Sequence, residues 1–270
     1  MLDFSKSLCN VSSYFCGKIY LLIYKKRVIL MKFKDIFKSK YVGMKQEPIS
    51  EQFIEFDFKM QKGYQFLSNQ EYNKVVEIWI SIWNELMDYM EKDNIKTFKM
   101  FDKIYNGTQF ISNWVNDFDD CLYNIVSNSK DTEVLDIYGN IRIQLNEQIQ
   151  DFTHLEDKLT IENTKRAIAE TYFLLGNVKK SEELFELYLS ENPKWGWGWI
   201  GWSDQYWLCE RENANYIKGE DILLKALAVT DLEDRGCVED RLLDLYNQSS
   251  QDEKLESLEH RLNQRNSGKN

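Results

Sequence analysis

Between residues 75 and 87 the apolar positions are Val75, Val76, Ile78, Trp79, Ile82, Trp83, Leu86 and Met87, a return every third or fourth residue. That period fits 3.6 residues per turn and lays one continuous apolar stripe along an α-helix. The same spacing recurs on both sides. Phe53, Phe56, Met60, Gly63 and Tyr64 mark a preceding helix, with Ser68-Asn-Gln-Glu71 as the polar break between the two. Phe98, Phe101 and Ile104 predict a short helix closed by Asn106-Gly107. Phe110, Ile111, Trp114, Val115, Phe118, Leu122 and Ile125 predict a longer one, stopped by Ser127-Asn-Ser129. Further helices are expected over 132–145 and 163–175, and terminal ones over 237–247 and 252–263. Only 2 of the 270 residues are proline, which disfavours an all-β chain, where turn residues recur every ten positions or so. A hydrophobic content of 43% supplies a core and argues against bulk disorder. The expected fold is all-α, an array of antiparallel helix pairs joined by short polar turns.

Charge divides the chain. The formal net charge is −10, yet residues 1–45 hold ten Lys/Arg and only two acids, Asp3 and Asp35, for +8. The remaining 225 residues therefore carry −18, a balance that disfavours general affinity for nucleic acid. The longest uncharged apolar run in the basic leader, Ile19–Tyr24, has six residues. A membrane span needs about 20 and a signal core about 7–15. Two readings of the leader follow. In one, translation begins at Met31 or Met44 and residues 1–30 are extraneous. In the other, residues 18–41 form a basic amphipathic helix on an anionic membrane surface, with Phe33, Ile36, Phe37 and Tyr41 between lysines. Docking on the chain's own acidic body is a further outcome for such a helix. The five cysteines are odd in number and lack zinc-knuckle spacing, so reduced thiols and a cytoplasmic location are expected.

Residues 162–195 are more specific. Ala169 and Ser181 are small, Tyr172 is a large aromatic, Gly176-Asn177 breaks one helix and Asn192-Pro193 ends the next. This stretch resembles the tetratricopeptide repeat, a helix–turn–helix unit of about 34 residues. Tyr188 departs from the pattern, which prefers a small residue there. One repeat further on, Trp199-Ile-Gly-Trp-Ser-Asp-Gln-Tyr206 looks like the next opening, with a second helix at Gly219–Val229 after a long turn around 210–216. The segment from Asn192 to Trp202 is also similar to bacterial helical-repeat proteins that end in a SEC-C zinc tail. The terminal residues from Arg265 to Asn270 contain no cysteine ligand, so zinc is not implied. The resemblance implies an α-solenoid with a right-handed superhelical course. The chain then divides into a leader at 1–45, a divergent helical-hairpin region at 46–160, and repeats with capping helices at 161–270.

The resemblance also implies a concave, partner-facing groove. Its residues here fall on Asn163, Arg166, Glu170 and Phe173 in one repeat, and on Trp197, Ile200, Asp204 and Trp207 in the next. On a helical wheel Trp195, Trp199, Trp202 and Tyr206 share a tight face and are expected in the core. Trp197, Ile200, Asp204 and Trp207 lie opposite, so the helix needs a second partner, either a ligand or neighbouring helices of the same chain. Gly196-Trp-Gly-Trp-Ile-Gly201 spells a dinucleotide fingerprint, but no strand precedes it and Trp fills the positions beside the glycines. His154 and His260 stand far apart, and neither a phosphate loop nor a nucleophile elbow is present. Asp117, Asp119 and Asp120 form the tightest carboxylate cluster. The expected function is a non-catalytic protein–protein interaction module that uses no cofactor or metal and offers its groove to a peptide or partner helix. A peptide-sensing regulator and a membrane-surface adaptor are the alternatives.

Overall fold

A computed structural model describes residues 49–153, 157–209 and 213–267. The readings of the basic leader, of His154 and of the final three residues lie outside the described residues. Among the described residues there are eleven α-helices and no strand, so the fold is all-α. They divide into two compact units between Tyr188 and Leu189. Among the described residues, no helix is long and apolar enough to cross a membrane.

The first unit opens with a 3-10 turn at Glu51–Phe53 and helix α1, Ile54–Ser68. It continues with α2 (Tyr72–Lys92), α3 (Phe98–Tyr105), α4 (Ile111–Asn128), α5 (Thr132–Asp151) and α6 (Lys158–Leu174). Helix α7 (Val178–Glu191) carries the chain across the division. Helix α1 packs on α2, α2 and α3 on α4, α4 on α5, and α5 on α6. Phe53, Phe56, Trp79, Phe101, Tyr105, Trp114 and Phe118 meet in one core. Trp79 stands edge-on to Trp114, with centroids 6.1 Å apart at 88°, and Trp114 stacks on Phe118 at 6.0 Å. Edge-on and offset contacts of this kind place the positive ring edges against neighbouring faces. Trp79 also donates its Nε1–H to the Met60 carbonyl at 3.2 Å. That close approach requires Gly63, because a Cβ there would stand inside the Trp79 indole.

Among the described residues of this unit two charged side chains are buried, and both are hydrogen-bonded. The buried Asp57 accepts from the Tyr105 hydroxyl and from Thr108, whose backbone N–H and hydroxyl each lie 2.9 Å away. Burial, and then the Asp57 carboxylate, push the Tyr105 hydroxyl well above its usual range. The second group is Arg142 of α5, only 4% exposed. Its Nε and Nη2 each donate to Asp119 of α4 at 2.9 Å, and Nη1 donates to Thr171 Oγ1 of α6 at 2.8 Å. Asn146 adds a donor to Asp119 at 2.6 Å.

The second unit holds α8 (Gly196–Asp204), a π turn at Gln205–Cys209, α9 (Tyr216–Leu227), α10 (Arg235–Gln248) and α11 (Asp252–Ser267). Ile200, Trp207, Leu223, Val238, Leu242 and Leu245 form its core. Arg265 of α11 grips the buried Glu239 of α10 through two bonds of 2.6 Å.

Helix boundaries depart from the sequence reading in two informative places. Helix α5 runs past residue 145 to Asp151, since Ile149 continues its buried face. Helix α6 begins five residues before Asn163, where Asp157 accepts from the Thr160 N–H and caps it. The body divides at 188/189, while the sequence reading drew its border at 160/161. Arg142 explains the difference, since it fastens α6 to α4 and α5.

Gly63→Ala is expected to lower stability by about 1–3 kcal/mol in urea unfolding, because the added methyl displaces the Trp79 indole. An unchanged or higher midpoint, the outcome helix propensity alone would give, contradicts this packing.

Candidate functional site

The groove residues read from the sequence fall in both units. On α6, Asn163 is exposed, Arg166 and Glu170 are half-buried, and Phe173 is buried. The spacing of one turn brings Arg166 Nε within 3.4 Å of Glu170 Oε1. Burial pushes the Glu170 carboxyl above its usual range, against the pull of the Arg166 and Arg142 guanidiniums. Arg166, Glu170 and Arg142 thus belong to one electrostatic system on the α5–α6 side of the first unit. For Arg142 itself burial opposes the charge, but Asp119 outweighs it and the guanidinium is held protonated more firmly than usual.

On α8 the face opposite the expected tryptophan stripe is largely filled by its own unit. Ile200 is 2% exposed and Trp207 1%, and both lie in the α8–α11 core. Trp207 donates its indole N–H to Ser203 Oγ at 3.1 Å, and Ser203 in turn donates to the Gly219 carbonyl at 2.9 Å. Asp204 lies 3.4 Å from Nε of the buried Arg241 on α10. Trp197 is half-buried against the same core. Ile200 and Trp207 are therefore interior side chains. Of the expected core stripe, Trp195 and Trp202 are buried, while Trp199 and Tyr206 are half-exposed. The glycines of the apparent fingerprint serve contact between backbones: a Cβ on Gly196 would collide with the Glu233 carbonyl, whose own N–H donates to Lys194 O at 2.8 Å.

The acidic cluster on α4 is drawn apart. Asp117 accepts from the Tyr64 hydroxyl at 2.8 Å, and Asp119 belongs to Arg142. Cys121 is a buried free thiol whose pKa is raised by burial and then by the neighbouring aspartates, a setting for an inert thiol. Cys209 is also free and half-buried. Among the described residues no group of three or more His, Cys, Asp or Glu converges as a metal site.

A different surface stands out. Phe58 of α1 is 66% exposed, and Ile54 one turn before it is also exposed. Phe110 is 65% exposed, in extended backbone at the start of α4 instead of on its buried stripe. Asp57 and Gln61, which flank Phe58, both bond Thr108, the latter at 2.6 Å. Thr108 lies two residues before Phe110, so the two phenylalanines border one junction. Part of this was visible in the sequence, because Ile54 and Phe58 lie off the stripe of Phe53, Phe56, Met60 and Gly63. Phe110 was not, since its spacing to Trp114 imitates a core position.

Neither the models of known protein families nor the sequences of curated proteins match this chain.

Trp207→Ala should cost about 3–5 kcal/mol in chemical unfolding, against a clearly smaller loss for the half-buried Trp197→Ala. Equal and small losses would return Trp207 to the role of an open groove anchor.

Proposed function

We propose that the chain is a non-catalytic protein–protein interaction module built from tetratricopeptide-like helix pairs. Its contact surface is the apolar ledge of Ile54, Phe58 and Phe110. One observation carries this reading: two phenylalanines, each about two-thirds exposed, border the same α1–α4 junction. Large exposed aromatics at one helix junction mark a surface suited to a partner, and large aromatics dominate the energetics of interfaces.

Three further features support the helix-pair part of the reading. Gly176 adopts φ +76° after α6, the left-handed conformation that ends a helix. Ala169 and Ser181, the small residues of the repeat pattern, are both fully buried. Tyr188, which departs from that pattern, has the Lys165 ammonium 4.9 Å above its ring, so a large side chain is accommodated there. The partner on this reading is a protein or peptide with an apolar face, and the exposed Asn163 and half-buried Arg166 of α6 offer polar guidance.

Affinity capture with Phe58→Asp and Phe110→Asp tests the proposal. Both sites are exposed, so unfolding midpoints should stay within about 0.5 kcal/mol of the parent. Capture of a specific partner should fall at least about tenfold, as expected when an interface anchor worth over ~1.4 kcal/mol is lost. A control at exposed Glu77→Ala should leave capture intact. Undiminished capture by both aspartate variants would contradict the assignment of this surface.

A further inference from the structure

A cavity of about 520 Å³ opens on the first unit where α1 and α4 end. That volume falls within the range of ligand pockets. Its floor is aliphatic, from the half-buried Ile125 of α4 and Val134 of α5. Its walls are rich in carboxamides: Asn124 and Asn128 on α4, and Gln70 and Asn73 around the turn from α1 into α2. The charged residues of the lining, Glu71 and Lys74, are bonded to each other, and Lys74 also covers the Phe66 ring at 5.3 Å. The walls therefore offer donors and acceptors without net charge, which suits an uncharged polar ligand better than a phosphate or a carboxylate.

The α4 wall is set before any ligand arrives. Asn124 donates its Nδ2–H to the Asp120 carbonyl, and Asn128 donates to the Asn124 carbonyl, each at 2.7 Å. Each carboxamide is thus held back along its own helix through nitrogen, and its oxygen remains as an acceptor. The two residues stand one turn apart on one face, so these acceptors recur about 5–6 Å along α4. Along one edge of an extended peptide, N–H groups recur every second residue, about 6.6–6.8 Å. The two repeats are close enough for one strand to bond both oxygens. The wall from the α1–α2 turn is fixed as well. Gln70 N–H donates to the Leu67 carbonyl and Glu71 N–H to the Phe66 carbonyl, both at 3.0 Å, with Gln70 at φ +60°.

We propose that this cavity binds a short extended peptide segment of a partner protein. Two backbone N–H groups of the segment meet the Asn124 and Asn128 oxygens, and an aliphatic side chain rests on Ile125 and Val134. Preformed acceptors give such a segment its hydrogen bonds without an ordering cost on the wall, and the aliphatic floor favours a peptide side chain over a saccharide ring. The ledge of Ile54, Phe58 and Phe110 lies toward the starts of α1 and α4, whereas this cavity lies at their ends. The site stands whether or not the ledge binds.

The test uses the whole chain, isotope-labelled for NMR, and a pool of capped pentapeptides that alternate serine with valine, isoleucine or leucine. The pool should shift the Asn124 and Asn128 side-chain amide signals saturably. N-methylation of either the aliphatic residues or the serines removes the donors along one edge of the strand. One of these two series should bind at least about tenfold more weakly than the parent pool. Asn124→Ala and Asn128→Ala, checked for a parental unfolding midpoint, should each weaken binding at least about fivefold, read on the Ile125 and Val134 signals. Asn140→Ala is the control: Asn140 is bonded back in the same way, to the Asp136 carbonyl at 2.6 Å, but does not line the cavity, and binding should not change. The proposal is overturned by no saturable shift up to about 10 mM peptide, by undiminished binding in both alanine variants, or by equal binding of both N-methylated series and the parent. Maltotriose binding more tightly than the peptides would assign the cavity to a saccharide and overturn it equally.

Discussion

A single guanidinium organises the first helical unit. Arg142 is buried on α5, and its planar fork meets the two oxygens of Asp119 on α4 while its remaining nitrogen reaches Thr171 on α6. Three helices that would otherwise be held by non-directional apolar contact are thereby given a fixed relation. A buried charge of this kind is costly to desolvate, and it persists only where its hydrogen bonds are satisfied. Here Asp119, Thr171 and the Ala167 carbonyl, the last at 3.3 Å, supply the partners, and the Tyr123 ring covers the guanidinium at 4.8 Å. The division of the body inside α7, and not ahead of α6, follows from this arrangement.

The same economy of polar groups runs through the rest of the chain. Asp57 is answered by Tyr105 and Thr108, Glu239 by Arg265, and Asp204 by Arg241. Among the acids that a sequence scan flags, Asp117, Asp119 and Asp204 each join two elements of their own unit. Apolar side chains also reach the surface, Ile54, Phe58 and Phe110 among them.

Much of the fold was legible because its signal is local. The stripe Val75, Val76, Trp79, Ile82, Trp83, Leu86 is buried as its period requires, and Gly176 ends α6 where the pattern places it. Caps set by single polar residues were harder: Asp157 and Asn215 start α6 and α9 earlier than the apolar spacing indicates. The site was less legible for a physical reason. A helical wheel tells which residues share a face, but not whether that face meets solvent, a ligand or another helix. Trp207 and Ile200 lie on the face assigned to a groove, yet α9, α10 and α11 of the same unit fill it.

A double-mutant cycle on Arg142 and Asp119, read by urea unfolding of the whole chain, addresses the buried clamp most directly. Arg142→Met and Asp119→Leu alone should each cost about 3–5 kcal/mol, because each leaves a desolvated charge without its partner. Together they should cost far less than the sum, giving a coupling of at least about 2 kcal/mol. Small and additive losses would show that apolar packing alone sets the relation of α4, α5 and α6, and would contradict the clamp as the organising interaction.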